Sequence, residues 1–114
     1  MANAAPVMTP LRAKFFRGLA DPSRLAILEA LRTNAQTVGE LTIATGLSQP
    51  NTSNHLGCLL ECGLVTREPQ GKYVIYALAD ARIASLVSLA DEIVNAHIEQ
   101  LAACVRYREP GETS

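Results

Sequence analysis

Hydrophobic residues recur at helical spacing over most of this chain and switch to alternation over one short stretch. Leu11, Phe15, Phe16 and Leu19 predict a first helix from about Thr9 to Ala20. Asp21-Pro22-Ser23 stops it and caps the next helix, with proline in the first turn, where its missing N–H costs nothing. Leu25, Ile27, Leu28 and Leu31 form an apolar stripe to about Arg32, and Thr33-Asn34-Ala35-Gln36 reads as a polar turn. Thr37 with Glu40 three residues later fits a capping box, opening a short helix that turns Leu41 and Ala44 inward. Gly46 ends that helix as a left-handed C-cap. Ser48 or Gln49 caps the next, with Pro50 in its first turn, Leu56, Leu59 and Leu60 on its buried face and Gly63 at its close. Helix, tight glycine turn, helix is the helix-turn-helix pattern.

Two short alternating runs follow, Val65 to Glu68 and Lys72 to Leu78, with the turn signal Pro69-Gln70-Gly71 between them. A β-hairpin directly after the helix-turn-helix makes the unit a winged helix-turn-helix. Asp80 then caps a long helix. Ile83, Leu86, Val87, Ala90, Ile93, Val94, His97, Ile98, Leu101, Cys104 and Val105 keep the 3–4 spacing for about seven turns, roughly 40 Å. That helix is too long and apolar for a domain of this size to cover, so it and the first helix are expected to form a dimer interface. The expected fold is mostly α with a small β-hairpin (α+β), homodimeric through its first and last helices. The expected organisation is a disordered leader over 1–8, one domain over 9–108 and a disordered tail over 109–114.

Size and composition agree. A chain of 114 residues, 48% hydrophobic and 4% aromatic, suits one small helical domain that gains stability from an oligomer. No apolar run approaches the length of a membrane span, and the first residues lack a basic region followed by an apolar stretch. A cytoplasmic protein with no membrane partner is therefore expected. Its three cysteines are an odd count, against a secreted disulfide framework. The net charge of −1 lacks the basic surplus usual in nucleic-acid binders. The distribution matters more: acidic residues gather late, whereas Arg12, Lys14, Arg17, Arg24, Arg32, Arg67 and Lys72 lie early or at the hairpin.

The candidate chemistry sits on the helix from Ser48 to Gly63. Ser48, Gln49, Asn51, Thr52, Ser53, Asn54 and His55 look like the base-reading end of a DNA recognition helix, able to meet base edges or phosphates through hydrogen bonds. The helix carries no Lys or Arg, so positive charge must come from elsewhere, with Arg67 and Lys72 on the wing as the candidates. Lys72 is otherwise an ordinary polar hairpin tip. With few phosphate contacts per subunit, tight binding to double-stranded DNA needs two subunits on an inverted repeat. Further along the same helix, Cys58 and Cys62 stand four residues apart, which puts both thiols on one face, one turn apart. Thiolates select soft ions: cadmium, lead, mercury, trivalent arsenic, cuprous copper and zinc. Two ligands on one turn are half a site. A disulfide between them would distort the helix, because it needs Cβ atoms about 4 Å apart and i,i+4 positions lie about 6 Å apart.

These residues resemble the ArsR/SmtB winged-helix metalloregulators. The matching stretches are Leu19 to Leu28, Gly46 to Leu56, Gly63-Leu64-Val65 and Gly71 to Leu78. The resemblance implies a homodimer that represses metal-resistance operons and leaves the operator when metal binds. Ser53 to Val65, with both cysteines, is similar to the family's cadmium/lead sensors. There the recognition-helix cysteines are joined by a third near the C-terminus, a place that Cys104 matches, and the resemblance favours the partner subunit as its source. The resemblance thus implies a metal site of Cys58, Cys62 and Cys104. Cys104 alone is equally a small hydrophobe on an apolar stripe. Other sites of the family are not matched: Glu40-Leu41-Thr42-Ile43-Ala44 has no cysteine pair, and Asp91, Glu92, His97 and Glu99 do not have the spacing of its zinc site.

The reading is then a repressor released by Cd(II) or Pb(II), with no organic cofactor. Alternatives are the same repressor sensing As(III), Sb(III) or Hg(II), a constitutive winged-helix module with structural cysteines, and a protein-interaction dimer that binds no DNA. Three sulfurs in a pyramid suit lead and trivalent arsenic. Cadmium favours a fourth donor, which the sequence does not identify, and zinc usually takes four ligands. His55 reads as a DNA or packing residue and His97 as an interface residue. No nucleophile–base constellation is present, so an enzyme is not expected.

Overall fold

The structure is a computed structural model that describes residues 4–107, with side chains over 7–103. Its elements run α1 (Ala4–Leu19), α2 (Pro22–Leu31), α3 (Val38–Thr45), α4 (Gln49–Glu61), β1 (Val65–Gln70), β2 (Tyr73–Leu78), α5 (Ala81–Ala96) and α6 (Ile98–Tyr107). They fall into two compact units, Met1–Ala84 and Ser85–Ser114.

The helix ends form as their sequences dictate. Asp21 caps α2 by accepting the Arg24 N–H at 3.0 Å. Thr37 and Glu40 make both bonds of the capping box at α3, at 3.1 and 2.9 Å. Gly46 closes α3 at φ 79°. Of the two candidates for the cap of α4, Ser48 takes the position, its hydroxyl accepting the Asn51 N–H at 3.2 Å. At the far end of α4, Gly63 adopts φ 77°, and Leu64 N–H and Gly63 N–H donate to Leu59 O and Leu60 O at 2.9 and 3.1 Å. That pair of bonds is a Schellman motif, which sets Cys62 at the C-cap and drives Leu64 into the core.

The core of the first unit is Ile27, Leu28 and Leu31 of α2, Leu41 of α3, Leu56 and Leu59 of α4, with Leu64, Val65, Tyr76 and Ile83. Three residues expected to face inward are not in it, and of these Leu60 is half-buried and packs against its side. Leu25 is exposed on α2 and Ala44 on α3, because a short helix has only a narrow buried stripe and Ile27, Leu28 and Leu41 fill it.

Two boundaries differ from expectation, and a third falls outside the described residues. The first helix starts at Ala4 and not near Thr9, so residues 4–8 of the expected leader are helical. The expected tail over 109–114 lies outside the described residues. The hairpin turn is tighter than Pro69-Gln70-Gly71: Pro69 pairs with Val74 and Gln70 with Tyr73, leaving Gly71-Lys72 as a two-residue loop. Gly71 has φ 63°, and no described non-glycine residue has positive φ, which matches the type II′ turn that follows strand twist. Proline is tolerated in β1 because each strand of a two-stranded sheet has an open edge.

The expected seven-turn last helix is broken at His97. Its N–H donates to Val94 O at 3.1 Å, three residues back. The carbonyl of Ile93, four residues back, instead accepts from the His97 ring at Nδ1, at 3.1 Å. The side chain thus takes the acceptor that a continuing helix would use. A further element, a one-residue bridge, has no signal in the sequence. Gln36 exchanges both backbone hydrogen bonds with Tyr76, at 2.9 and 2.8 Å, and its side-chain amide donates to Ala30 O at 2.7 Å. This one-residue bridge ties the wing to the end of α2.

Candidate nucleic-acid interface and thiol site

α4 divides cleanly around its circumference. Thr52, Leu56 and Leu59 are buried, while Gln49, Pro50, Asn51, Ser53, Asn54, Cys58 and Glu61 are exposed. Thr52 does not belong with the DNA candidates. It is fully buried, because it shares the stripe of Leu56 and Leu59, and its hydroxyl donates to Ser48 O at 2.8 Å. His55 is half-buried and turned toward α2, with Nδ1 3.9 Å from the Asp21 carboxylate, beyond hydrogen-bond range. Asp21 itself has a lowered pKa: the Arg24 backbone N–H bonds its charged form, outweighing desolvation, with the charges of Arg24 and His55 adding to the effect. The polar side chains left on the open face are Ser48, Gln49, Asn51, Ser53 and Asn54. Arg67 and Lys72 are exposed on the wing, Lys72 within its turn.

Cys58 follows Asn54 by four residues and continues that exposed stripe. Cys62 is half-buried, packed where α1 crosses closest. A Cβ on Gly18 of α1 would stand 2.5 Å from Leu64 Cδ1, 3.0 Å from Cys62 Cβ and 3.2 Å from Cys62 Sγ. The two thiols line one cavity of about 140 Å³, together with Lys14 and Arg17 of α1, Arg24 of α2 and Glu61. Arg24 also closes α1, its Nε and Nη2 donating to Gly18 O and Arg17 O at 3.1 and 2.9 Å. The sequence already showed basic residues gathered early, but nothing in it placed Lys14, Arg17 and Arg24 beside the thiols.

Two sulfurs in one cavity suit a thiophilic ion. Among the described residues, no three His, Cys, Asp or Glu side chains come together as a metal site. Cys104 lies in α6, and its side chain is outside the described residues. His97 and Glu99 are exposed.

Comparison with known proteins agrees with this architecture. The family described as "Bacterial regulatory protein, arsR family" matches residues 21–67. A Streptomyces lividans protein named probable mercury resistance operon repressor is 40% identical over 100 residues, covering 88% of this chain and 80% of its own. The HTH-type transcriptional regulator CmtR of Mycobacterium tuberculosis is 41% identical over 96 residues, 84% of this chain and 80% of its own. The solution structure of that cadmium metal-sensor superposes with a TM-score of 0.60 at 45% identity, over 67% of this chain and 79% of that one. A homodimeric winged helix-turn-helix DNA-binding domain from Mycobacterium bovis has a TM-score of 0.79 at 26% identity, over 88% of this chain and 93% of that one. With a winged helix-turn-helix fold and relatives at this identity over most of their length, the chain belongs to the bacterial regulatory proteins of the arsR family.

Proposed function

We propose that this protein is a homodimeric repressor that binds an inverted repeat in operator DNA and is released when a thiophilic metal ion binds Cys58 and Cys62. Ser48, Gln49, Asn51, Ser53 and Asn54 meet the bases and phosphates of the major groove, and Arg67 and Lys72 meet the flanking backbone. The observation that carries the reading is the position of Cys58. It stands one helical turn beyond Asn54 on the same exposed stripe, and shares a cavity with Cys62. A ligand there acts on the element that reads DNA, so it binds the free and DNA-bound states unequally, which is the requirement for release.

Dimerisation is supported by the apolar surface that single helices leave uncovered. Val7, Met8, Leu11 and Phe16 are exposed on α1, and Leu89, Ile93, Val94, Ile98 and Leu101 on α5 and α6. Cys104 of the partner subunit supplies a third sulfur. The inducer is Cd(II) or Pb(II), in line with the similarity to the cadmium sensor. Hg(II) is the second reading, favoured by the relative named for mercury resistance and by the two-thiol cavity, since mercury is satisfied by two sulfurs.

Titration of the protein on a fluorescent fragment of its own promoter with cadmium, lead, arsenite and mercury, read by anisotropy, tests the proposal. Stoichiometric release by at least one thiophilic ion is expected, with none from magnesium. DNA binding that no ion alters would leave a constitutive winged-helix protein.

A further inference from the structure

The cavity that joins Cys58 and Cys62 has a charge composition that two metal ligands alone do not require. Lys14, Arg17 and Arg24 line it against the single carboxylate of Glu61. Apart from its thiols it therefore has an excess of two positive charges. Arg24 is committed to the end of α1. Lys14 and Arg17 are exposed, lie three residues apart on one side of α1, and pair with no carboxylate among the described residues. A positive mouth of this kind repels a bare divalent cation and attracts an anion. Soft ions in a thiol-rich solution are not bare cations. They are thiolate complexes, and small thiols that bear carboxylates make those complexes anionic.

Building on the metal-sensing reading above, we propose that the form in which this site takes its ion is a complex with an anionic low-molecular-weight thiol, docked by Lys14 and Arg17 through the thiol's carboxylates. Cys58, the exposed thiol, makes the first exchange. Its sulfur–metal bond forms as one carrier sulfur–metal bond breaks, and its proton leaves on the departing thiol. Cys62, half-buried beside Gly18, repeats the exchange against the second carrier sulfur. Oxidation states do not change. The arrangement makes Lys14 and Arg17 positioning residues for delivery, with no bond to the metal.

The test presents cadmium to the metal-free protein as its complex with 3-mercaptopropionate, 2-mercaptoethanol or cysteamine, which is anionic, neutral or cationic. Uptake is followed by stopped-flow absorption of the cadmium–thiolate band. Each rate is taken relative to that of Lys14→Gln/Arg17→Gln with the same carrier, which cancels the carriers' different affinities. The wild type should exceed this variant about ten-fold with the anionic carrier, two screened charge contacts contributing about a factor of three each. It should match the variant with the neutral carrier and fall below it with the cationic one. Lys14→Glu/Arg17→Glu should invert the order, and added salt should narrow it. Both sites are exposed, and circular dichroism verifies the fold. Uptake at ratios independent of carrier charge would overturn the inference and leave the sensing reading intact. Absence of the band with every carrier and with aqueous cadmium would overturn both.

Discussion

At the scale of single residues, the thiol site depends on a glycine that has no chemistry of its own. Gly18 lets α1 approach the end of α4, and Leu64, which a Cβ would meet at 2.5 Å, is fully buried. Gly18→Ala should therefore destabilise the protein by about 1–3 kcal/mol, as overpacking of a close contact does. Urea unfolding with an unchanged m-value checks this. The thiols themselves should separate sensing from DNA binding. Cys58→Ser and Cys62→Ser should each abolish metal-induced release, while the metal-free variants keep operator affinity within about threefold, because Ser48 to Asn54 lie nearer the start of α4. Anisotropy with and without cadmium reads both quantities. Asp80 offers a residue-level pH test. The Arg82 side chain and backbone N–H bond its carboxylate at 2.7–3.0 Å and hold its pKa at about 2, below the ordinary 3.8. A depressed folded-state pKa stabilises above the unfolded value and ceases to do so as the pH falls through the folded one. The wild-type melting temperature should fall between pH 4 and pH 2 more steeply than that of Asp80→Asn.

At the scale of elements, each helix end is a local decision with a distant consequence. The Schellman motif at Gly63 fixes where Cys62 points and where β1 begins. Gly63→Ala forces a Cβ into the left-handed region, and should cost about 1–2 kcal/mol. It should also weaken metal binding, which absorption titration of the refolded variant would show. The wing is a second such element. Its two-residue turn holds Lys72 at the tip, and the Gln36–Tyr76 bridge anchors its other end to α2. If the tip meets the DNA backbone, Lys72→Ala should lower the salt slope of operator binding by about two units per dimer, one for each subunit. An unchanged slope would place the wing tip away from phosphate.

At the scale of the whole molecule, the question is whether the proposed metal site would be built from one subunit or from two. The described residues bring together two thiols and no third ligand, and the exposed apolar faces of α1, α5 and α6 supply surface for a dimer. If Cys104 completes the site across that dimer, a metal ion ties each recognition helix to the opposite subunit. Each factor of ten in DNA affinity needs about 1.4 kcal/mol of such coupling. Mixing a Cys104→Ser subunit with a Cys58→Ser/Cys62→Ser subunit should give a heterodimer with one intact three-thiolate site. Its cadmium affinity should exceed that of either parent homodimer. Equal affinity in all three would mean that the site is not shared.

The sequence by itself determined what is local. Caps at Asp21 and Thr37, the left-handed turn at Gly46 and the wing after Gly63 all follow from short-range rules, and each is present, whereas the α4 cap is open in the sequence between Ser48 and Gln49, and Cys62 falls at the C-cap just beyond the helix that carries Cys58. Local rules fail where side chains choose between faces or between partners. Thr52 looks like its polar neighbours in sequence, yet the periodicity that buries Leu56 and Leu59 also buries Thr52. His97 fits the apolar stripe, yet its ring takes a backbone acceptor and breaks the helix. Gln36 lies in a polar turn, yet its backbone pairs with a strand forty residues away. Only the tertiary structure decided the surroundings of the thiols. Lys14 and Arg17 come from α1 and Arg24 from α2, and the packing of these two helices against the end of α4 brings their charge to Cys58 and Cys62.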